Sequence, residues 1–561
     1  MVTNEQRTPR LMVIGLDGAS FDVMGEWLDA GLLPNLGSIF GEGAHGVLRS
    51  TIPPVTPAAW TTFMTGKNPG KHGIFTFEGR KPGHYEQRLT CGGMRRSCTI
   101  WDIMNEHGLS VGVVNVPYTY PPDPVKGYMI SGMDAPAFDR RVFHPASLYE
   151  EVLSQIGRYT LARLPRRGER YDVAELRQQI DKMGGAAKFL LERHPVDVFA
   201  VVFTPTDHVS HHFLSSKTAS QGAEGIEDLV EWTYRRVDAH VGELLRFAGP
   251  ETTVIVMSDH GMGTIERGVN LNRGFADGGL LKFHGGSGER ESVRGDSCAV
   301  ARGLLTMLSR TVRRRISSQM LRRLAQSRLP IHKVHWWMSS GGIKWEDTVC
   351  YTMATQGLVR LNVRGRDPNG IVEPGPCFEA TRRSVADFLL GLRDPKTGRP
   401  LIEKVHFRED IYHGPWVDDG PDLIATESDD APWGILPGLM GAKAPLLVSR
   451  PEAERRVVDL PEGWHRPNGI FMARGPGIAR RVTGSWHIAD IAPTALHLLG
   501  LPVPDDMDGA IMEGVLSEEA RQRKIARDPG ERKSKREAAS FYSEDEEQSV
   551  RDQLSGLGYL D

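Results

Sequence analysis

The sequence predicts an α/β protein built on a mainly parallel central sheet with helices on both faces. Three observations predict it. Apolar runs of strand length recur along the first half of the chain: LMVIGL from Leu11, VGVVNV over 111–116, VDVFAVVFT over 196–204 and TTVIVMS over 252–258. Helix-like stretches separate them, and strands alternating with helices imply parallel pairing. The runs are apolar on both alternating faces, as strands covered from both sides must be.

Each element follows from local pattern. LMVIGLD is followed by the helix-like FDVMGEWLDAG and then by PNLGSIFGEGAHGVLRS. Thr56 stands before Pro57 and a helix-compatible run, which is a helix N-terminus signature. Beyond Asn270 the pattern breaks, and residues 271–345 read as a helical cap insertion. Within it Leu308, Val312, Ile316, Met320 and Leu324 recur every four residues, flanked by Arg310, Arg313, Arg314, Arg315, Arg322 and Arg323. That stretch, 304–324, is an amphipathic helix with a cationic face. It reads either as a cap on the core with solvated arginines or as a weak contact surface for anionic lipid or substrate. Strand patterns return in GLVRLNVRGR and PDLIATE, and IFMARGPGI with the helix IADIAPTALHLLG closes the sheet. Residues 1–516 thus read as one domain that carries the 271–345 insertion. Residues 517–561 read as a charged, solvated linker and a short C-terminal helix. Ser543 and Glu546 have capping-box spacing there, and Val550, Leu554 and Leu557 share one face.

Composition narrows the function. The chain has 561 residues, 40% hydrophobic and 25% charged, with a formal net charge of -3. No global charge favours nucleic acid. Cys91, Cys98, Cys298, Cys350 and Cys377 are few and scattered, with no CxxC pair. They suggest reduced thiols and a cytoplasmic protein. No secretory leader pattern opens the sequence and no apolar run has membrane-spanning length.

The chemistry lies at strand ends. Asp17, Asp207 and Asp259 each follow an apolar run, and a carboxylate delivered there enters the crevice where open α/β sheets bind ligands. Three of them in one pocket cannot all stay ionised without cations. Asp207 and His211 are four apart, so a helix places them on one face. His208 and His212 share that spacing, and the pattern alone does not choose between the pairs. Asp259 and His260 converge only if the chain turns sharply, which Gly261 permits. His465 and His487 both lie where a further ligand is wanted. Mixed carboxylate and imidazole ligation suits zinc, and manganese or iron as well. Two such ions about 4 Å apart would clamp a phosphoryl group. Thr56 reads as a helix cap or, aimed with free backbone N–H groups at one point, as a nucleophile.

LDGASFD, VTPAAWTTFMTGKNPGKHGIF, TDHVSHHF, MSDHGM and GWHRPNGIFMARGPGI occur in this order. Together they resemble the type I phosphodiesterase/nucleotide pyrophosphatase branch of the alkaline phosphatase superfamily, from about Leu11 to Gly509. The resemblance implies an alkaline-phosphatase-like fold and two zinc ions, one held by Asp17, Asp259 and His260, the other by Asp207, His211 and His465. It selects His211 over His212 and His465 over His487, and leaves His487 as a helix-start residue. It also implies that Thr56 attacks phosphorus and forms a phospho-threonine. One position departs: three residues after the nucleophile, where nucleotide pyrophosphatases of this branch carry asparagine, stands Ala59. Lys67, Lys71 and His72 are candidates for the missing phosphate contact, and Trp60 for an aromatic wall on the substrate.

The expected function is therefore a two-metal hydrolase of small phosphorylated substrates, phosphodiesters or nucleotide-type pyrophosphates foremost. The alternatives are a phosphomonoesterase, a phosphoryl-headgroup transferase acting on lipid or glycan, and a non-catalytic interaction protein. A sulfatase is disfavoured, because Thr56-Pro57-Ala58-Ala59-Trp60 offers neither cysteine nor arginine.

Overall fold

Runs of Val, Ile, Phe and Met with no polar face are stable only as strands covered on both sides. The computed structural model describes residues 8–158, 173–216, 226–284, 342–352, 356–436, 444–456, 460–532, 534 and 542–556. In it those runs form the middle of a nine-stranded sheet. Its strands are β1 (Leu11–Leu16), β2 (Ala44–Arg49), β3 (Val111–Val116), β4 (Gly127–Ser131), β5 (Phe143–His144), β6 (Val198–Phe203), β7 (Thr253–Met257), β8 (Asn468–Arg474) and β9 (Val482–His487). The spatial order is β9-β2-β8-β7-β1-β6-β3-β4-β5. From β7 through β4 the neighbours run parallel. β8 is antiparallel to β2 and β7, and β5 to β4. Every residue of β1, β3, β6 and β7 is buried, so both faces are covered, as the apolar runs predict.

Five helices matter to the argument: α1 (Thr56–Thr65), α2 (Val173–Arg193), α3 (Pro205–Phe213), α4 (Leu229–Leu245) and α5 (Glu544–Gly556). α2 packs against β3, β6 and α4, and α4 against α3. α1 is buried along its whole length, which its mix of Ala, Trp, Phe, Met and Thr allows.

The returning strands do not join the main sheet. Leu358–Leu361 and Leu423–Thr426 pair with each other and with Cys350–Thr352 and Lys404–Phe407 in a separate four-stranded antiparallel sheet. This second lobe has its own core, including Val359, Leu361, Leu389, Leu423 and Trp433. GLVRLNVRGR interleaves apolar and charged residues, and such alternation suits a sheet with one open face rather than a doubly covered one. Within the predicted cap insertion Leu271–Asp277 is helical, while the basic stretch 304–324 lies outside the described residues.

The charged C-terminal segment is more ordered than its composition predicts. Glu518–Gln522 is a helix with Ala520 buried, and Arg527–Asp528 pairs with Val503–Pro504. Apolar residues interspersed in the charge run, Ala520 and Ile525 among them, supply the contacts with the main core. The capping box that starts α5 is formed: Ser543 N–H donates to Glu546 Oε2 at 2.8 Å, and Glu546 N–H to Ser543 Oγ at 3.3 Å. Val550 and Leu554 insert into the main core, and Arg551 pairs with Glu78. The helix therefore docks on its own chain. Leu557 lies outside the described residues. No helix among the described residues is long and apolar enough to cross a membrane.

Candidate active site

β7, β1 and β6 are adjacent and parallel, so their C-terminal ends lie side by side, with Leu16 opposite Phe203 and Gly15 opposite Met257. Asp17 follows β1 directly, Asp259 follows β7 by two residues, and Asp207 sits in the first turn of α3 just beyond β6. All three are fully buried. The turn after β1 draws them together. Gly18 has φ +67°, and a Cβ there would fall 2.6 Å from Asp207 Oδ1. Its N–H donates to Asp259 Oδ1 at 3.2 Å. A side chain at this position would be strained by the backbone and would collide with a carboxylate.

The histidines arrive by three routes. His211 lies one helical turn after Asp207, its Nε2 3.5 Å from Asp207 Oδ1. His465 stands on the short strand Gly463–Arg466, antiparallel to Gly261–Thr264 and opposite Met262. Its Nε2 is 2.9 Å from His211 Nε2 and 3.6 Å from Asp207 Oδ1. His260 Nε2 lies 3.3 Å from Asp259 Oδ2 and 3.7 Å from Asp17 Oδ1. Asp259 and His260 thus face one region. Gly261 serves this by close approach rather than by an unusual turn: a Cβ there would meet the Asn468 carbonyl oxygen at 2.1 Å. His487 starts a helical turn, accepting from Ala489 N–H in a capping box with Asp490.

Thr56 is the first residue of α1 and makes no cap hydrogen bond; Val55 holds the cap position. The Thr56 hydroxyl lies instead 3.2 Å from His260 Nε2. Trp60 is fully buried, and its indole N–H donates to Asp17 Oδ2 at 3.3 Å. It stacks edge-on against Phe63 in the core, so it orients a carboxylate rather than walling a substrate. Lys67 is paired with Asp506 and Lys71 with Asp508. His72 is buried, accepts from Ile74 N–H at Nδ1 and lies 3.1 Å from the Thr62 hydroxyl through Nε2. Burial first, and Arg95 next, push its imidazole down to about 3. These contacts place all three in the scaffold around α1 rather than over Thr56, because the acidic loop 505–508 competes for the lysines.

Electrostatics ask for cations. Burial first, then the charges of Asp259 and Asp207, hold the Asp17 carboxyl well above the ordinary carboxylate range. Burial likewise raises Asp259, against the pull of His260. Burial, then His260 and His211, hold the His465 imidazole well below its usual value. Asp17 Oδ1 and Asp259 Oδ2 are buried without a hydrogen-bond partner among the described residues. Each imidazole donates its Nδ1–H to a carbonyl: His211 to Gly463 at 2.9 Å, His260 to Gly261 at 3.0 Å and His465 to Pro54 at 2.9 Å. Their Nε2 lone pairs therefore face carboxylate oxygens and one another. Such an arrangement is repulsive unless positive charge lies between. The donor set fits divalent cations: Asp207, His211 and His465 have ligand atoms within 4.8 Å of one another, as do Asp17, Asp207 and His260. Asp207 lies between the two groups.

Two further residues complete the surroundings, and sequence patterns did not single them out. Gln356, from the second lobe, contacts His465, and Tyr412 donates through its hydroxyl to the Ile52 carbonyl in the loop before Thr56. Gly357 marks a turn in the sequence, but nothing local says where that turn points.

Three buried carboxylates and three imidazole lone pairs, brought to one crevice of an α/β sheet beside a hydroxyl, define a metal-dependent hydrolase. The chain belongs to the type I phosphodiesterase / nucleotide pyrophosphatase family, whose model matches residues 11–328. Its members are phosphoester hydrolases. The matched segment holds Asp17, Thr56, Asp207, His211, Asp259 and His260, while His465 lies beyond it. Similar solved structures include murine ectonucleotide pyrophosphatase / phosphodiesterase 5, 14% identical over 90% of this chain and 100% of that one, with a TM-score of 0.46. The human protein of that name is 13% identical over 91% and 100%, also at 0.46. No curated protein sequence matches the chain.

Proposed function

We propose that this protein hydrolyses phosphodiesters or nucleotide-type pyrophosphates with two zinc ions and Thr56 as nucleophile. Asp17, Asp259 and His260 would hold one ion, and Asp207, His211 and His465 the other. When bound, the ions neutralise the carboxylates, lower the pKa of the Thr56 hydroxyl and oppose charge on the phosphoryl oxygens. Thr56 Oγ1 then forms a bond to phosphorus as the ester bond to the leaving group breaks. Water then attacks the phosphorus of this phospho-threonine, which still carries the second ester group, releases the phosphomonoester and restores the hydroxyl. Trp60 holds Asp17, and the three carbonyls hold the imidazole tautomers, so the groups need not reorganise during turnover.

The observation that carries this reading is the Thr56 hydroxyl, which lies 3.2 Å from His260 Nε2 and does not cap its own helix. A singly charged diester is favoured over a dianionic monoester because Lys67 and Lys71, the cations following α1, are paired with Asp506 and Asp508.

The test is turnover of a bis-aryl phosphate by Thr56→Ala and Thr56→Ser, with zinc content and acid-quenched mass spectrometry alongside. The alanine variant is expected to lose at least about a thousandfold in kcat while keeping its metal, and the serine variant to keep part of the activity. The quenched wild type should carry a monoaryl phosphoryl group on Thr56. An alanine variant that turns over like the wild type refutes the proposal.

A further inference from the structure

His465 touches two groups through Nδ1. One is the Pro54 carbonyl at 2.9 Å, in the loop that leads to Thr56. The other is the side-chain amide of Gln356, whose Nε2 lies 2.8 Å away. Gln356 belongs to the second lobe and is 8% exposed. Its φ is 64°. A residue with a Cβ is held in the left-handed region only where its surroundings over-determine it, and such strain gathers at functional positions. The surroundings here are explicit. Gln356 N–H donates to the Ile435 carbonyl at 3.3 Å, and the chain enters the lobe's sheet at Leu358. Ile435 belongs to a three-stranded sheet and Leu358 to the lobe's four-stranded sheet, and the backbone held between them delivers the amide to the ring.

We infer that Gln356 is a positioning residue for the Asp207, His211 and His465 metal group, setting the tautomer and plane of the His465 ring from the second lobe. The inference rests on the two-metal reading above. The Pro54 carbonyl accepts, so Nδ1 carries the proton, and a proton on Nδ1 needs acceptors around it. An amide exchanges its nitrogen and oxygen by a half-turn about its last bond. That half-turn places Oε1, otherwise buried without a hydrogen-bond partner among the described residues, against Nδ1–H. Two acceptors then share one proton. The Nε2 lone pair is thereby committed to the side where Asp207 and His211 lie, and the ring becomes a better donor to metal. The second lobe is coupled to the catalytic crevice through this contact.

The variants separate positioning from packing. Gln356→Gly suits a φ of 64°, so it should hold or raise the thermal midpoint while deleting the amide. Gln356→Met keeps the bulk and loses the acceptor. Gln356→Glu keeps an acceptor. The full-length protein, loaded with zinc alone, is competed against a chromophoric chelator, with His465→Ala as the reference for a lost ligand. The Gly and Met variants are expected to bind one of two zinc ions about 10–100-fold more weakly, and Glu to restore most of that affinity. If Gly and Met hold both ions as tightly as wild type while His465→Ala loses one, Gln356 has no positioning role and the inference falls alone. If His465→Ala also binds like wild type, the ligand set itself is wrong and both fall.

Discussion

Trp60→Phe is the sharpest test of how the buried carboxylates are held. The substitution removes one indole N–H and the smaller part of the ring from a residue with no exposed surface. That N–H donates to Asp17 Oδ2 at 3.3 Å. It lowers the Asp17 carboxyl, against burial and the charges of Asp259 and Asp207. A hydrogen bond to a charged group contributes about 1.5–3 kcal/mol, and the length of this one puts it near the lower end. Loss of an outer contact to a metal ligand typically costs about tenfold or more in metal affinity. Phe63→Leu is the control. Phe63 lies 1% exposed in the same helix, its ring 5.6 Å from the Trp60 ring, and it offers no N–H. Both variants should lower the unfolding free energy measured by urea titration by amounts typical of core truncation, roughly 1–3 kcal/mol. Only Trp60→Phe should also weaken zinc by about tenfold in chelator competition. Equal affinity losses in the two variants would show that Trp60 acts by packing alone, and that its bond to Asp17 contributes nothing to the site.

Three more outcomes are expected. His465→Ala should lose zinc and activity together, while His487→Ala, which removes a cap acceptor, should lower stability by about 1 kcal/mol and leave zinc content unchanged; a larger zinc loss at His487 would overturn the ligand assignment. On one aryl leaving group, kcat/KM for a phosphodiester should exceed that for the monoester, and a tenfold preference the other way would show that a cation reaches the phosphate despite the pairing of Lys67 and Lys71. Burial alone would raise the Asp508 carboxyl, but the bonds from Lys71 and Asn68 outweigh it and hold it below the ordinary range. A depressed carboxylate stabilises the fold above its unfolded pKa, near 4, and the gain is lost as pH falls through the folded value. Asp508→Asn should therefore lower stability at neutral pH and flatten the acid limb of a urea-midpoint curve below about pH 4; an unchanged acid limb would refute the assignment.

The sequence by itself determined the parts that depend on local pattern. Doubly apolar runs became buried parallel strands because nothing else hides both faces. A carboxylate after such a run must emerge at the sheet's C-terminal edge, and Asp17, Asp207 and Asp259 do so. The i, i+4 rule made Asp207 and His211 neighbours, and the spacing of Ser543 and Glu546 became a formed capping box. Other matters depended on which distant segment lies alongside, and only the tertiary structure decided them. The strand pairing of Met262 with His465, 203 residues apart in number by their positions 262 and 465, brings the third imidazole in. Trp60, Lys67 and Lys71 looked accessible beside Thr56, yet Asp17, Asp506 and Asp508 claim them, since a buried N–H or ammonium takes the nearest carboxylate the fold provides. Gln356 carried no signal at all, because its role is fixed by a contact between two lobes. Periodicity reports which face of an element is buried; it does not report what that face is buried against.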